Sequence, residues 1–209
     1  RSYLVTGVQT CALPIFPGDW RNQKAHGGGM VLDWGIHLLD QALRIGEGRK
    51  LISVDAELTN VTNEECDDGF RVTLIFEGDL SMYVEVTTSN FIELPRWYIL
   101  GENGSAVIND WDLNGEIVKV SDWENRDAVP ILAGVGLTKT MAPRTDDTIK
   151  HYPLPKVDSS WTRFYENVFA ALRGEEEQLI THDQQRRQLK LVDAIFESGN
   201  ENKVVFFDK

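Results

Sequence analysis

Long hydrophobic runs and basic patches are both absent from this 209-residue sequence. No apolar stretch approaches the ~20 residues that a membrane-spanning helix needs, which argues against a membrane protein. The formal net charge is −12, so the chain would repel nucleic-acid phosphates and anionic lipid. With 42% hydrophobic and 26% charged residues, the composition is that of a globular protein with room for one large domain or two small ones. Internal repeats and low-complexity tracts are also missing.

The N-terminal segment, RSYLVTGVQTCALPIFPGDW, is a poor secretory signal, because polar residues interrupt its apolar region. Back-translation of residues 5–15 gives a nucleotide sequence that resembles a widely used sequencing-library adapter. We therefore expect residues 1–15 to be non-native and loosely attached, and the domain to comprise residues 16–209, the C-terminal part of a longer parent protein. The alternative is a genuine strand-like segment.

Cysteine is scarce, and it becomes scarcer if residues 1–15 are foreign. Cys11 then belongs to the adapter-like segment and Cys66 is the one native cysteine. Neither an intrachain disulfide nor a cysteine-rich zinc site is then available. A reducing, cytoplasmic compartment fits this cysteine usage best.

Hydrophobic periodicity predicts an α+β fold in which helices pack on one face of a large, mostly antiparallel sheet. A helix is expected from Val31 to a stop at Gly46. Alternating apolar residues then predict a strand from Leu51, a hairpin turning at Gly78–Asp79, and further strands over 96–123. A sheet of six or more strands follows from this pattern.

The remainder of the chain alternates between an irregular and a helical part. Residues 124–158 lack a sustained period and are expected to form a long loop, GVGLTK at 134–139 included. Two helices follow, one capped by Ser159 or Ser160 and stopped at Gly174, the other running from a Thr181 cap to Gly199. A last strand, KVVFF, closes the chain.

The candidate site lies in HGGGMVLDWGIHLLDQALRIG, residues 26–46. At 100° per residue Asp33 and His37 lie 40° apart on an α-helix, on one stripe with Asp40 and Arg44. Spacing alone favours a solvated polar face. The glycines 27–29 shift the interpretation toward an active site. They let the backbone approach a ligand closely, and they lie at a helix N-terminus that carries partial positive charge.

Four stretches resemble the glucose-fructose oxidoreductase and inositol dehydrogenase (Gfo/Idh/MocA) family. They are DWR at 19–21, GGGMVLDWGIHLLD at 27–40, WYILGENGSAVI at 97–108 and the region from FYENVFAALRG to KVVFF. The resemblance covers nearly all of residues 19–209 and is to the family's C-terminal domain. It implies an N-terminal Rossmann domain that binds NAD or NADP in the parent, and a C-terminal domain that contacts substrate and forms a homo-oligomer through its sheet.

The resemblance also implies the chemistry. Asp33 and His37 match the family's D-x-x-x-H pair, which implies dehydrogenation of a sugar or polyol hydroxyl by hydride transfer. His37 would then be the base, and Asp33 would fix its tautomer and stabilise the imidazolium. Trp20 and Arg21 are candidate substrate contacts, although packing and surface charge explain them equally well.

Two departures from the pattern of that family limit what this chain is expected to do alone. It contains neither the family's Glu-Lys-Pro motif nor a G-x-G-x-x-G fingerprint after a strand, so we expect the fragment to bind no nicotinamide cofactor productively and to be inactive. A metal-dependent sugar isomerase or hydrolase using His26, Asp33, His37 and Asp40 stays open, although no H-E-x-x-H spacing supports a metal. A non-catalytic dimerisation module is the third possibility.

Overall fold

The computed structural model describes residues 2–7, 18–124, 131–133, 135–138 and 144–207. Within these residues nine strands form one sheet in the order β10-β7-β6-β5-β1-β4-β3-β2-β11, and β8 and β9 form a separate hairpin. Every pair in the large sheet is antiparallel except β1 with β4. The predicted α+β class and the predicted large, mostly antiparallel sheet are therefore confirmed.

The strands of the large sheet have the following bounds: β1 Ser2–Gly7, β2 Leu51–Thr59, β3 Gly69–Phe76, β4 Leu80–Thr87, β5 Trp97–Gly101, β6 Gly104–Ile108, β7 Gly115–Val120, β10 Ile149–Pro153 and β11 Val205–Phe206. The small hairpin comprises β8, Ile131–Ala133, and β9, Gly136–Thr138. The helices are α1 Ile36–Ile45, α2 Thr162–Leu172 and α3 His182–Glu201.

The hydrophobic core lies between helices α1 and α3 and the strands β2, β3 and β4. The alternation predicted for β3 and β4 is present, with one set of side chains buried on the helix-covered face. These strands meet at a turn where Gly78 has φ 78° and Asp79 has φ 60°, which matches the right-handed twist of a hairpin. Fully buried core side chains include Leu39, Val54, Phe70, Leu74, Met82, Leu191 and Ile195.

Helix α3 begins as predicted but extends past its predicted end. Thr181 and Gln184 form a complete capping box at its start. The predicted stop at Gly199 is wrong, because the helix continues to Glu201 and ends at Asn202, which has φ 50°. Gly199 is needed for packing instead, since a Cβ there would collide with Leu58 of β2.

Helix α2 lies largely apart from the core. It begins at Thr162, whose N–H donates to Ser160 Oγ at 3.2 Å, although Trp161 is the residue directly before the helix. Its buried residues are Asn167 and Ala170, whereas Phe164, Phe169 and Leu172 are 48%, 58% and 79% exposed. Most of the apolar face of α2 is therefore open to solvent.

Two expectations about local structure need correction. The region 124–158, predicted as a loop, contains β10, which pairs with β7 at the sheet edge, and the small hairpin, whose strand β9 includes Gly136 of the GVGLTK stretch. Residues 2–7, expected to be loosely attached, form β1 between β4 and β5. Backbone pairing on both sides differs from the loose attachment expected for these six residues, while their adapter origin stays a prediction.

Candidate active site at the start of helix α1

The glycines before α1 are required by close backbone packing. Gly28 has no room for a side chain, because a Cβ would collide with the backbone of Arg21. Gly27 and Gly29 have φ of 75° and 111°, which L-residues rarely adopt. The Gly29 N–H donates to the Arg21 carbonyl at 2.9 Å. The chain therefore folds back so that residues 19–22 lie against the start of the helix.

Asp67, in the loop between β2 and β3, caps this helix start. Its carboxylate accepts a hydrogen bond from the Val31 N–H at 2.8 Å, and its carbonyl accepts one from the Met30 N–H at 3.0 Å. The side chain is buried, and burial raises the pKa of the Asp67 carboxyl while the amide hydrogen bonds oppose that rise. The expected anion-attracting helix terminus is thus engaged by the protein's own carboxylate.

The first turn of the helix is wider than a regular α-helical turn. Residues Val31–Gly35 form a π-helical turn, in which the Gly35 N–H donates to the Met30 carbonyl at 2.7 Å. Single π turns occur often at functional sites. Because Asp33 lies in this turn and His37 in the regular helix, the angle between them is not that of a uniform α-helix.

Asp33 forms an ion pair with Arg21. The Arg21 Nε lies 2.9 Å from Asp33 Oδ2, and the Asp33 side chain is 20% exposed. The hydrogen bond to Asp33 raises the pKa of the Arg21 guanidinium above its usual value. The same guanidinium lies 4.6 Å from the centre of the Trp20 ring. The structure therefore brings together three of the four predicted site residues, Trp20, Arg21 and Asp33.

His37, the fourth predicted residue, is exposed on α1 one turn after Asp33. Within the described residues its imidazole has no hydrogen bond or ion pair, and Asp33 is bonded to Arg21 rather than to His37. An exposed imidazole without an intramolecular partner is available to a substrate hydroxyl. The expected orientation of His37 by Asp33 stays a prediction.

An aromatic contact links the start of α1 to the loop between β6 and β7. The Trp34 and Trp111 rings lie 5.9 Å apart, and the Arg96 guanidinium lies 3.6 Å from the Trp111 ring centre. Burial lowers the pKa of Arg96. Trp111 is 56% exposed, so one indole surface stays open to solvent beside the helix that carries Asp33.

Two residues of the alternative metal site, His26 and Asp40, each form a hydrogen bond with a different neighbour. The His26 Nδ1 lies 2.7 Å from Gln23 Oε1, and the Arg44 Nε donates to Asp40 Oδ2 at 2.8 Å. Among the described residues, no three His, Cys, Asp or Glu side chains are grouped so that they could hold a metal ion. The arrangement gives no support to the metal-dependent alternative.

Sequence reasoning missed Asp67, Trp111 and Arg96. Asp67 follows a polar stretch of the β2–β3 loop and is 36 residues from its partner Val31, so no local spacing marks it. Trp111 and Arg96 likewise meet through the sheet. A pair of adjacent acids, Asp67 and Asp68, directly before a strand was the one visible signal.

A dinucleotide does not fit the glycine-rich turn of this chain. In dinucleotide-binding folds a strand leads into the glycine turn and the helix N–H groups receive the pyrophosphate. Here short 3₁₀ turns, Trp20–Asn22 and Lys24–His26, precede the glycines, and Asp67 already accepts the Val31 N–H. The glycine-rich turn of the described residues therefore lacks the arrangement that a pyrophosphate needs.

Comparison with known proteins identifies the family. The model of the GFO/IDH/MocA C-terminal domain matches residues 3–107. This chain belongs to the Gfo/Idh/MocA family. It is 42% identical to an NAD-binding protein from Listeria innocua, with a TM-score of 0.90 over 98% of this chain and 58% of that one.

Two less similar proteins match at the level of the fold and of the sequence, respectively. An oxidoreductase from Bacillus cereus is 11% identical with a TM-score of 0.68, covering 99% of this chain and 57% of that one. The scyllo-inositol 2-dehydrogenase (NADP⁺) of Bacillus subtilis is 21% identical over 199 residues, which are 93% of this chain and 54% of the relative. The Gfo/Idh/MocA domain described here thus spans about half the length of the relatives it matches.

None of the helices in the described part of the chain has the length and apolarity needed to cross a bilayer.

Proposed function

We propose that this chain is the substrate domain of an NAD(P)-dependent oxidoreductase that dehydrogenates a hydroxyl of a sugar, polyol or derivative. The observation that carries the proposal is the exposed, unpaired His37 beside the Asp33–Arg21 ion pair, in a Gfo/Idh/MocA domain. The dehydrogenase relative from Bacillus subtilis, whose substrate is an inositol, supports a polyol substrate. In the parent a separate nucleotide domain would bind the nicotinamide, which accepts the hydride.

The chain's own residues then have distinct tasks. An unprotonated ring nitrogen of His37 accepts the proton of the substrate hydroxyl. At the same time the hydrogen on the neighbouring carbon leaves with its bonding electron pair as a hydride, and the carbon–oxygen bond becomes a carbonyl. Arg21, held by Asp33 at 2.9 Å, keeps further N–H donors for a neighbouring substrate hydroxyl. The fixed ion pair reduces the ordering needed when substrate binds. Trp20 and Trp111 offer open indole surfaces to the apolar faces of a polyol ring.

The test joins the whole chain, with its strand β1, to the part of the NAD-binding protein from Listeria innocua that this chain does not cover. We expect the chimera to reduce NAD⁺ or NADP⁺ when a polyol such as scyllo-inositol or another member of a sugar and polyol panel is added, and the fragment alone to be inactive. A folded, cofactor-binding chimera that reduces neither cofactor with any polyol or sugar would contradict the proposal. Activity that requires added divalent ion and is abolished by chelator would favour the metal-dependent alternative.

We also propose that the open face of the sheet pairs subunits. Ile52, Ile75 and Tyr98 on β2, β3 and β5 are 39%, 37% and 40% exposed, and Tyr83 of β4 is partly buried. We expect sedimentation to show a dimer or larger species at tens of micromolar, where interfaces of ordinary size are populated. Ile75→Lys should shift the equilibrium towards monomer, whereas Lys156→Glu, on the segment before α2, should not. A clean monomer for the unmodified chain would contradict this prediction.

The buried, unpaired Cys66 thiol, whose pKa is raised by burial, agrees with the cytoplasmic location that we propose for the parent.

A further inference from the structure

A cationic pocket lies between the start of β2 and the first half of α3, near the end of α1 opposite to the candidate active site. It has a volume of about 410 Å³, within the usual range for small-molecule sites. Helix α1, ten residues or about 15 Å long, separates the pocket from Asp33 and His37. The pocket is lined by Arg49, Lys50, Leu51, Asp183, Arg186, Arg187, Lys190 and Phe207.

The charge of this cationic pocket is opposite to that of the chain. Among the described residues its lining contains five Lys and Arg residues but one Asp, in a chain that has 21 Lys and Arg and 33 Asp and Glu residues. Five like charges around one concavity repel one another, and a bound anion would relieve that repulsion. An anionic ligand is therefore the class of molecule that the pocket favours.

Two of the five cations are held in place without being neutralised. The Arg49 Nη1 donates to the carbonyls of Glu77 and Gly78 at 3.2 and 2.9 Å, and the Arg187 Nη2 donates to the Arg49 carbonyl at 3.2 Å. Carbonyl acceptors position a guanidinium but leave its full charge and its remaining N–H groups available. Planar guanidinium groups fixed in this way match the oxygens of a phosphate.

The other three cations are weakly compensated or unpaired. Arg186 lies 2.8 Å from Asp183, but both side chains are highly exposed, at 69% and 94%, so solvent screens this pair. Lys50 and Lys190 form no ion pair with any described residue. These two ammonium groups are free to contact a ligand.

An apolar wall completes the pocket and indicates a second part of the ligand. Leu51 is buried, and Phe207 is fixed beside it because its N–H donates to the Ile52 carbonyl at 2.9 Å. A free inorganic anion would leave this wall uncovered. We propose that the pocket binds a small organic phosphate, with its phosphate among Arg187, Lys50 and Lys190 and its planar or aliphatic part against Leu51 and Phe207.

The experiment uses the 209-residue chain and three probes, namely adenosine monophosphate, adenosine and inorganic phosphate. Binding is followed by calorimetry and by amide chemical shifts. We expect adenosine monophosphate to bind most tightly and to shift the amides of residues 49–51 and 186–190. Lys190→Gln should weaken its binding about tenfold, the scale of one charged hydrogen bond, while Lys156→Gln, outside the pocket, should leave it unchanged.

A second variant tests the apolar wall. Phe207→Ala should weaken binding of the nucleotide several-fold without changing that of inorganic phosphate. Equal binding of adenosine and its monophosphate, identical effects of Lys190→Gln and Lys156→Gln, or no saturable binding at millimolar concentrations would each overturn the proposal. Since all these measurements are of binding, their failure is separate from that of the proposed dehydrogenase activity.

Discussion

Replacing His37 with Ala in the chimera that carries a nucleotide domain is expected to lower kcat by about two to four orders of magnitude, the usual contribution of a positioned acid or base. Cofactor affinity should change little, because His37 belongs to the substrate domain. The folded state should also be preserved, since the side chain is exposed and makes no hydrogen bond within the described residues. Steady-state kinetics, with separate kcat and KM, would measure the effect.

The matched control is His182→Ala, at the exposed first position of α3 and far from the candidate site in sequence. It removes the same imidazole and should leave kcat unchanged. Near-normal turnover of the His37 variant would exclude His37 as the base. A large fall in thermal stability of that variant would instead assign a structural role.

Replacing Gly29 with Ala is expected to destabilise the domain by about 3–4 kcal/mol, which combines backbone strain with a lost buried hydrogen bond. The φ of 111° at Gly29 is unfavourable for any L-residue, and the new methyl group would collide with the Asp67 carboxylate. Moving that carboxylate would leave the Val31 N–H without its acceptor. Denaturant unfolding of the variant would measure the loss.

Gly27→Ala is the control, because Gly27 also has positive φ, 75°, but a Cβ there would meet nothing within 4 Å. Its cost should be only the left-handed strain of about 1–2 kcal/mol. Equal losses for the two variants would show that the contact between Gly29 and Asp67 is unimportant.

Features that depend on neighbours in sequence could be predicted. The end of α1 at Gly46, the hairpin turn at Gly78–Asp79 and the Thr181 cap are each encoded within a few residues. The alternation in β3 and β4 reveals their buried face for the same reason. The fold class follows from the order of these locally encoded elements.

Features that depend on distant partners could not be predicted. Strand β10 is short and mostly exposed, and only its pairing with β7 makes it a strand. The candidate site shows the same limit. The family resemblance implied that Asp33 orients His37, whereas folding of the glycine segment places Arg21 against Asp33. The π-helical turn also alters the angles assumed for a regular helix.

The separation of α2 from the core has a consequence for local stability. Segments that bury few apolar side chains can open without the rest of the domain, at a small fraction of the global free energy of unfolding. Helix α2 buries two residues, whereas α3 buries Leu191, Val192, Ala194, Ile195 and Ser198. The amide protons of α2 should therefore exchange with solvent through frequent local openings. Those in the middle of α3 should exchange only when the whole domain unfolds.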